Sequence, residues 1–168
     1  MKIVLMKKYS LILFFVIVAI QGHAQSYLDI SSLPFSVQDS LKKITETEDQ
    51  RIKAIVYSNT GSYYWRSRAD SAMLYLSKAE KIAKENKFID LLPNIYQGMG
   101  SVNIFLTGNY PMGLYHGFEQ LKYSTLMQDR PKAPGEDVYS RNIYLAYLNI
   151  AMSYAYLGNT EKAKKYIN

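Results

Sequence analysis

The sequence contains no cysteine, only two histidines, and five prolines among its 168 residues. Without thiols there can be no disulfide, no thiolate metal site and no lipid-modified cysteine, so stability must come from packed apolar surface. One of the histidines, His23, lies in a leader-like segment, which leaves His116 as the sole imidazole for any folded region. A zinc site built from cysteine and histidine is therefore excluded, and a histidine-activated nucleophile would have to use His116. That residue sits in YHGFEQ with Glu119 three positions on, and reads as a surface histidine beside a carboxylate.

Other signatures of chemistry are missing as well. The sequence has no GxxxxGK[ST] phosphate loop, no GxSxG elbow and no HExxH pair. Gly98 and Gly100 in QGMGSVN lack the third glycine and the preceding strand of a dinucleotide site, and read instead as places of close helix contact. The acids Glu46, Glu48 and Asp49 read as a solvated face at a helix junction. The expectation is a protein that is not an enzyme and holds no metal and no cofactor.

Long apolar runs are also absent. Leu11 to Ile20 is a ten-residue apolar stretch, short of the roughly 20 residues that cross a bilayer. It follows MKIVLMKKYS, with three lysines and no acid, and precedes QGHAQS, with Gly22 and Ala24 two positions apart. This is the layout of a secretory signal peptide over residues 1–24, cleaved between Ala24 and Gln25. A start at Met6 would give an equally good basic opening. The expected location is therefore the periplasmic or extracellular face of a bacterial envelope.

Losing the leader removes three of the 20 basic residues and none of the 14 acids, so the net charge falls from +6 to +3. A modest excess spread along the chain gives no reason to expect nucleic acid as a partner. Contact with a membrane is expected only through an uncleaved leader or a downstream segment.

What the sequence does contain is helical periodicity. Residues 25–49 read as a leader followed by a short amphipathic helix with Val37, Leu41 and Ile44 on one stripe. In the segment from Ala72, Ala72, Leu76, Ala79 and Ile82 recur at steps of four and three, with Asp70 or Ser71 as the cap. Further helical runs break at Gly108–Asn109 and at Gly158–Asn159, and the proline-containing stretch Gln128 to Asp137 reads as a connecting loop. No segment alternates as a strand. The architecture expected over residues 50–168 is all-α, a series of antiparallel helix pairs at about 50–86, 87–127 and 138–168.

These pairs resemble the tetratricopeptide repeat, whose unit of 34 residues sets small side chains where its helices touch and large ones between them. In the third unit, large residues fall at Tyr147, Ile150 and Tyr154, small ones at Ala151 and Ala163, the turn glycine at Gly158 and a later large residue at Ile167. In the first unit, Val56, Tyr63 and Leu76 are the large residues and Thr60, Ala72 and Ala79 the small ones, with Ser67 in place of the turn glycine. The second unit keeps Ser101, Ile104, Gly108 and Gly113 but departs at Gln97, Gly100, Gly117 and Gln120. Equivalent turns are 41 and 50 residues apart, wider than the family's spacing.

The resemblance implies a right-handed α-solenoid of about three repeats, the last incomplete, whose first helices line a concave groove. Carried over, its inward positions are Tyr57, Tyr64, Trp65, Val102, Phe105, Met152 and Tyr156, side chains suited to anchoring a protein or peptide partner. Trp65 and Phe105 suit a core equally well. The polar residues with which some members clamp a terminal carboxylate are missing, since Tyr57, Gly61 and Gly98 stand in their places.

Two functions are compatible with this pattern. One is an exported, non-catalytic scaffold that holds partners in its groove. The other is the sensory region of a longer membrane-bound signalling protein, a histidine kinase or a helix-turn-helix regulator. The segment Tyr139 to Leu157 is apolar almost all round, and the nine residues from Thr160 leave it uncovered, which gives the expectation that the chain is the front part of a longer protein.

Overall fold

The computed structural model describes residues 47–128 and 138–167. The expected signal peptide, the helix through Val37, Leu41 and Ile44, and the expected loop from residue 129 to 137 lie outside the described residues, while Gln128, expected to begin that loop, ends a helix. Within them are six α-helices: α1 Gln50–Tyr64, α2 Ala69–Glu85, α3 Leu92–Phe105, α4 Tyr110–Gln128, α5 Val138–Tyr156 and α6 Thr160–Ile167. No strand occurs among the described residues.

Local chemistry sets the helix ends. Asp49 caps α1, its Oδ1 accepting from the backbone N–H of Arg51 at 2.8 Å and of Ile52 at 3.2 Å, so this acid closes a helix start and is more than a solvated charge. Gly108 and Gly158 adopt φ of +65° and +79°, the left-handed turn that ends α3 and α5 at little steric cost. The next residue in each case restarts a helix: Asn109 Oδ1 accepts from Met112 N–H at 3.2 Å, and Asn159 Oδ1 from Lys162 N–H at 3.1 Å. The Gly-Asn pair is thus a stop and a start in two residues.

The first turn, at residues 65–68, uses neither device. Arg68 occupies the cap position of α2 with no side-chain cap bond, and Asp70 lies inside the first turn, where it interacts with the helix dipole; the expected cap at Asp70 or Ser71 is not formed. At the other end of α2, Lys87 takes a positive φ of 59° where a glycine is usual.

Each helix packs on its neighbours in sequence, and α3 also touches both α1 and α5. Short turns make each pair antiparallel. The core around α2 and α3 is apolar: Ala72, Leu76, Ala79, Ala83, Ile95, Met99 and Val102 are all buried. The stripe on α2 therefore runs to Ala83, while Ile82 is only half-buried.

In the first unit Thr60, Ala72, Leu76 and Ala79 are buried as the pattern expects, and Tyr63 is the large position that is misplaced. Tyr63 is exposed, whereas Tyr57 and Tyr64 pack against the core. Gly61 makes the closest approach to α2, since a Cβ there would lie 2.6 Å from Leu76 Cγ. One residue turns a helix by about 100°, enough to exchange an inward tyrosine for an outward one. The same holds on α3, where Gly100 is buried and Ser101 is not.

Candidate functional site

The seven residues expected to line a groove separate into three groups. Val102 and Met152 are buried, at 0% and 4% exposure, and so are closed to a partner; Val102 belongs to the core between α2 and α3. Tyr57 and Tyr64 stack on the two sides of Tyr75 from α2, each at 6.1 Å between ring centroids, which places them inside the first hairpin. Trp65, Phe105 and Tyr156 lie at the C-terminal ends of α1, α3 and α5. Trp65 meets Phe105 at 6.4 Å and Tyr156 stacks on Tyr110 at 4.7 Å, so adjacent turns are joined by aromatic contacts.

Beside this row runs a polar strip. On α1, Ser58 and Ser62 share the stripe of Trp65 at steps of four and three, and both are half-buried. On α3, Asn94, Gln97, Ser101 and Phe105 recur at helical spacing, each exposed or half-buried. Because Trp65 touches Phe105, the two stripes are neighbours on one face. Serine and amide side chains at such spacing can exchange hydrogen bonds with an extended backbone.

A second polar assembly is buried, and the sequence reading missed it. Gln120 on α4 donates through Nε2 to the Asn142 carbonyl at 3.1 Å, and its Oε1 accepts from Asn149 Nδ2 at 3.1 Å. Asn142, Asn149 and Ser153 are buried on α5 together with Ala146, Leu148, Ile150, Ala151 and Met152, so polar groups are interleaved with apolar ones on its inward side, while Tyr144 and Tyr147 are exposed. Gly113 and Gly117 admit α5: a Cβ would come within 2.7 Å of Ser153 Oγ and 2.8 Å of Ile150 Cγ1 respectively. Among the described residues Ser153 Oγ has no hydrogen-bond partner.

His116 belongs to this interior, contrary to the surface position expected for it. It is 4% exposed, its Nδ1 lies 3.2 Å from Asn103 Nδ2, and that amide also donates to the Met99 carbonyl at 2.8 Å. The ring tautomer sets which of the two groups donates in that contact. Burial holds the His116 pKa below its ordinary value, against the pull of Glu80 and Glu119. Glu119 pairs with Lys122 instead. Nearby, Glu80 accepts from Tyr96 Oη at 2.6 Å and from Lys84 Nζ at 2.7 Å. Burial alone would raise the Glu80 pKa, and these two bonds reverse the shift and lower it. The phenol of Tyr96 is pushed far up by burial and by Glu80.

No family model, curated protein or solved structure matches this chain. Residue roles therefore rest on geometry. Among the described residues no three acids or histidines gather as a metal site, and the one imidazole is sealed between α3 and α4 with an amide as its partner. The polar strip on α1 and α3 and the aromatic row at the helix ends are both reached by solvent.

Proposed function

We propose that this protein is an exported, non-catalytic scaffold of stacked helix pairs, similar in plan to tetratricopeptide repeats, and that it holds an extended segment of a partner protein along α1 and α3. The observation that supports this reading is the paired strip of Ser58, Ser62, Asn94, Gln97 and Ser101 beside the Trp65–Phe105 contact. It offers hydrogen-bonding groups at regular spacing along two adjacent helices, with an apolar anchor at one end. The buried histidine and its amide partner serve packing in this reading.

Selection of binders from a random peptide library tests it. Selected peptides should lose binding when Ser101→Arg and Gln97→Arg fill the strip and keep it with Leu126→Ser, at the far end of α4. The reading fails if no peptide is enriched, or if the strip variants bind as well as the parent.

A further inference from the structure

The row of turns at the ends of α1, α3 and α5 meets the peptide strip at Trp65 and Phe105 and extends beyond it, and we infer that it seats against a lipid bilayer bearing anionic headgroups. Its apolar groups are Trp65, Phe105, Leu106, Met112, Tyr156 and Leu157. The five after Trp65 are exposed by 38–46%, and Trp65 is half-buried. They come from three turns held side by side by the Trp65–Phe105 and Tyr110–Tyr156 contacts. Neighbouring helix axes lie about 8–10 Å apart, so the row is broad and without a single deep anchor. That form suits a fluid partner.

Charge supports the same occupant. Between Asp90 and Glu119 the chain carries no charged residue, so the central turn and the starts of its helices meet hydrocarbon without burying an ion. The turns themselves contain two charges, Arg66 and Arg68, and no acid; Asp70 and Glu161 come only after α2 and α6 have begun. Arg66 lies over the Trp65 ring at 4.8 Å and Arg68 over Tyr64 at 5.9 Å. Among the described residues neither arginine has a carboxylate partner. Apolar tips rimmed by tyrosine, tryptophan and unpaired arginine match the layered polarity of a membrane interface.

Backbone satisfaction is the third argument. Groups entering lipid lose water and must be hydrogen-bonded internally. Around the central turn, Leu106 and Thr107 N–H donate to the Val102 carbonyl, Gly113 N–H to that of Asn109, and Met112 N–H to the Asn109 side chain. Gly158, Asn159, Lys162 and Ala163 repeat this at the last turn, and Ser67 and Arg68 donate to Tyr64 at the first. Seating the row about 5–10 Å into the headgroup boundary strands few of these donors.

Trp65 is the one tryptophan of the chain, so with no peptide present its fluorescence reports the lipid contact of this row. The full chain is mixed with vesicles of phosphatidylcholine, or of phosphatidylcholine and phosphatidylglycerol in equal parts, with brominated acyl chains as quenchers. Leu11 to Ile20 can bring the chain to lipid by itself, so the readout is Trp65 depth and not co-sedimentation. The expected result is a blue shift with quenching by bromines near the headgroups, stronger on the mixed vesicles. The double change Leu106→Ser with Leu157→Ser should weaken it by about tenfold. Arg66→Gln with Arg68→Gln should abolish the preference for phosphatidylglycerol, and Leu126→Ser should change nothing. Because the replaced side chains are exposed, circular dichroism should stay constant across the set. Unquenched Trp65 on both vesicle types, equal weakening by Leu126→Ser, or a lipid-independent shift that grows with protein concentration would overturn the inference, the last by showing that a second copy covers the row. Variants of Ser101 and Gln97 should leave the signal untouched, so failure here and failure of the peptide reading are told apart.

Discussion

The seam between α2 and α3 is dry, and the seam between α4 and α5 is wet. In the first, alanines at four positions of α2 let Leu76, Ile95 and Val102 interlock, and the part-buried Tyr96–Glu80 hydrogen bond accompanies them. In the second, Gln120, Asn142, Asn149 and Ser153 meet across glycines. Apolar surface attracts without direction, so the dry seam supplies adhesion. Amides must find a partner of the right kind at the right distance, and leaving one unpaired in the interior is costly. The wet seam therefore contributes specificity of fit.

The largest expected effect tests the dry side. Leu76→Ala opens a cavity that the backbones at Gly61 and Gly98, both in contact with this side chain, cannot fill, and should cost about 2–5 kcal/mol in urea unfolding. A loss under 1 kcal/mol would mean that the seam collapses around the gap.

Next comes the wet side. Gln120→Leu should cost about 1–3 kcal/mol because Asn149 Nδ2 and the Asn142 carbonyl lose their partner. Adding Asn149→Leu should recover part of that loss, with a coupling of about 0.5–3 kcal/mol in a double-mutant cycle. Simple additivity would show that the amides do not act as a unit.

A smaller effect comes from two groups that meet α3, one from α4 and one from α2, and is read by pH. His116 has a pKa lowered from 6.5 and Glu80 one lowered from 4.5, so both hold fewer protons folded than unfolded. Their contribution is complete above pH 6.5 and is lost in two steps on acidification, the first below pH 6.5 as His116 charges beside the Asn103 amide, the second below pH 4.5 as Glu80 is neutralised. His116→Gln should remove the upper step from a plot of melting temperature against pH and keep the lower one. The smallest effect lies outside both seams: Lys87→Gly relieves a left-handed residue and should add about 0.5–1 kcal/mol. A loss on that change would show that the Lys87 side chain contributes more than its backbone costs.

The two seams were unequally legible. The stripe Ala72, Leu76, Ala79 and the turns at Gly108 and Gly158 follow from local periodicity and local turn chemistry, and both are found. Gln120, Gly117 and Gly100 look like departures from a repeat because the compensating residues, Asn142 and Asn149, lie on another helix, and a single-helix pattern assigns a buried amide to water. The site divides the same way. Phe105 and Tyr156 are exposed and Trp65 half-buried, while Val102 and Met152 come from counting along a template, where one residue of drift turns an open position into a closed one.

The paired amides of α4 and α5 also restrict motion. To slide by one turn, α5 would have to travel about 5.4 Å and would carry Asn149 away from Gln120, while the glycine recesses would no longer face Ile150 and Ser153. The two helices thus have a keyed seating with no neighbouring notch, and a load applied along this part of the chain meets a latch before it meets the oily packing behind it.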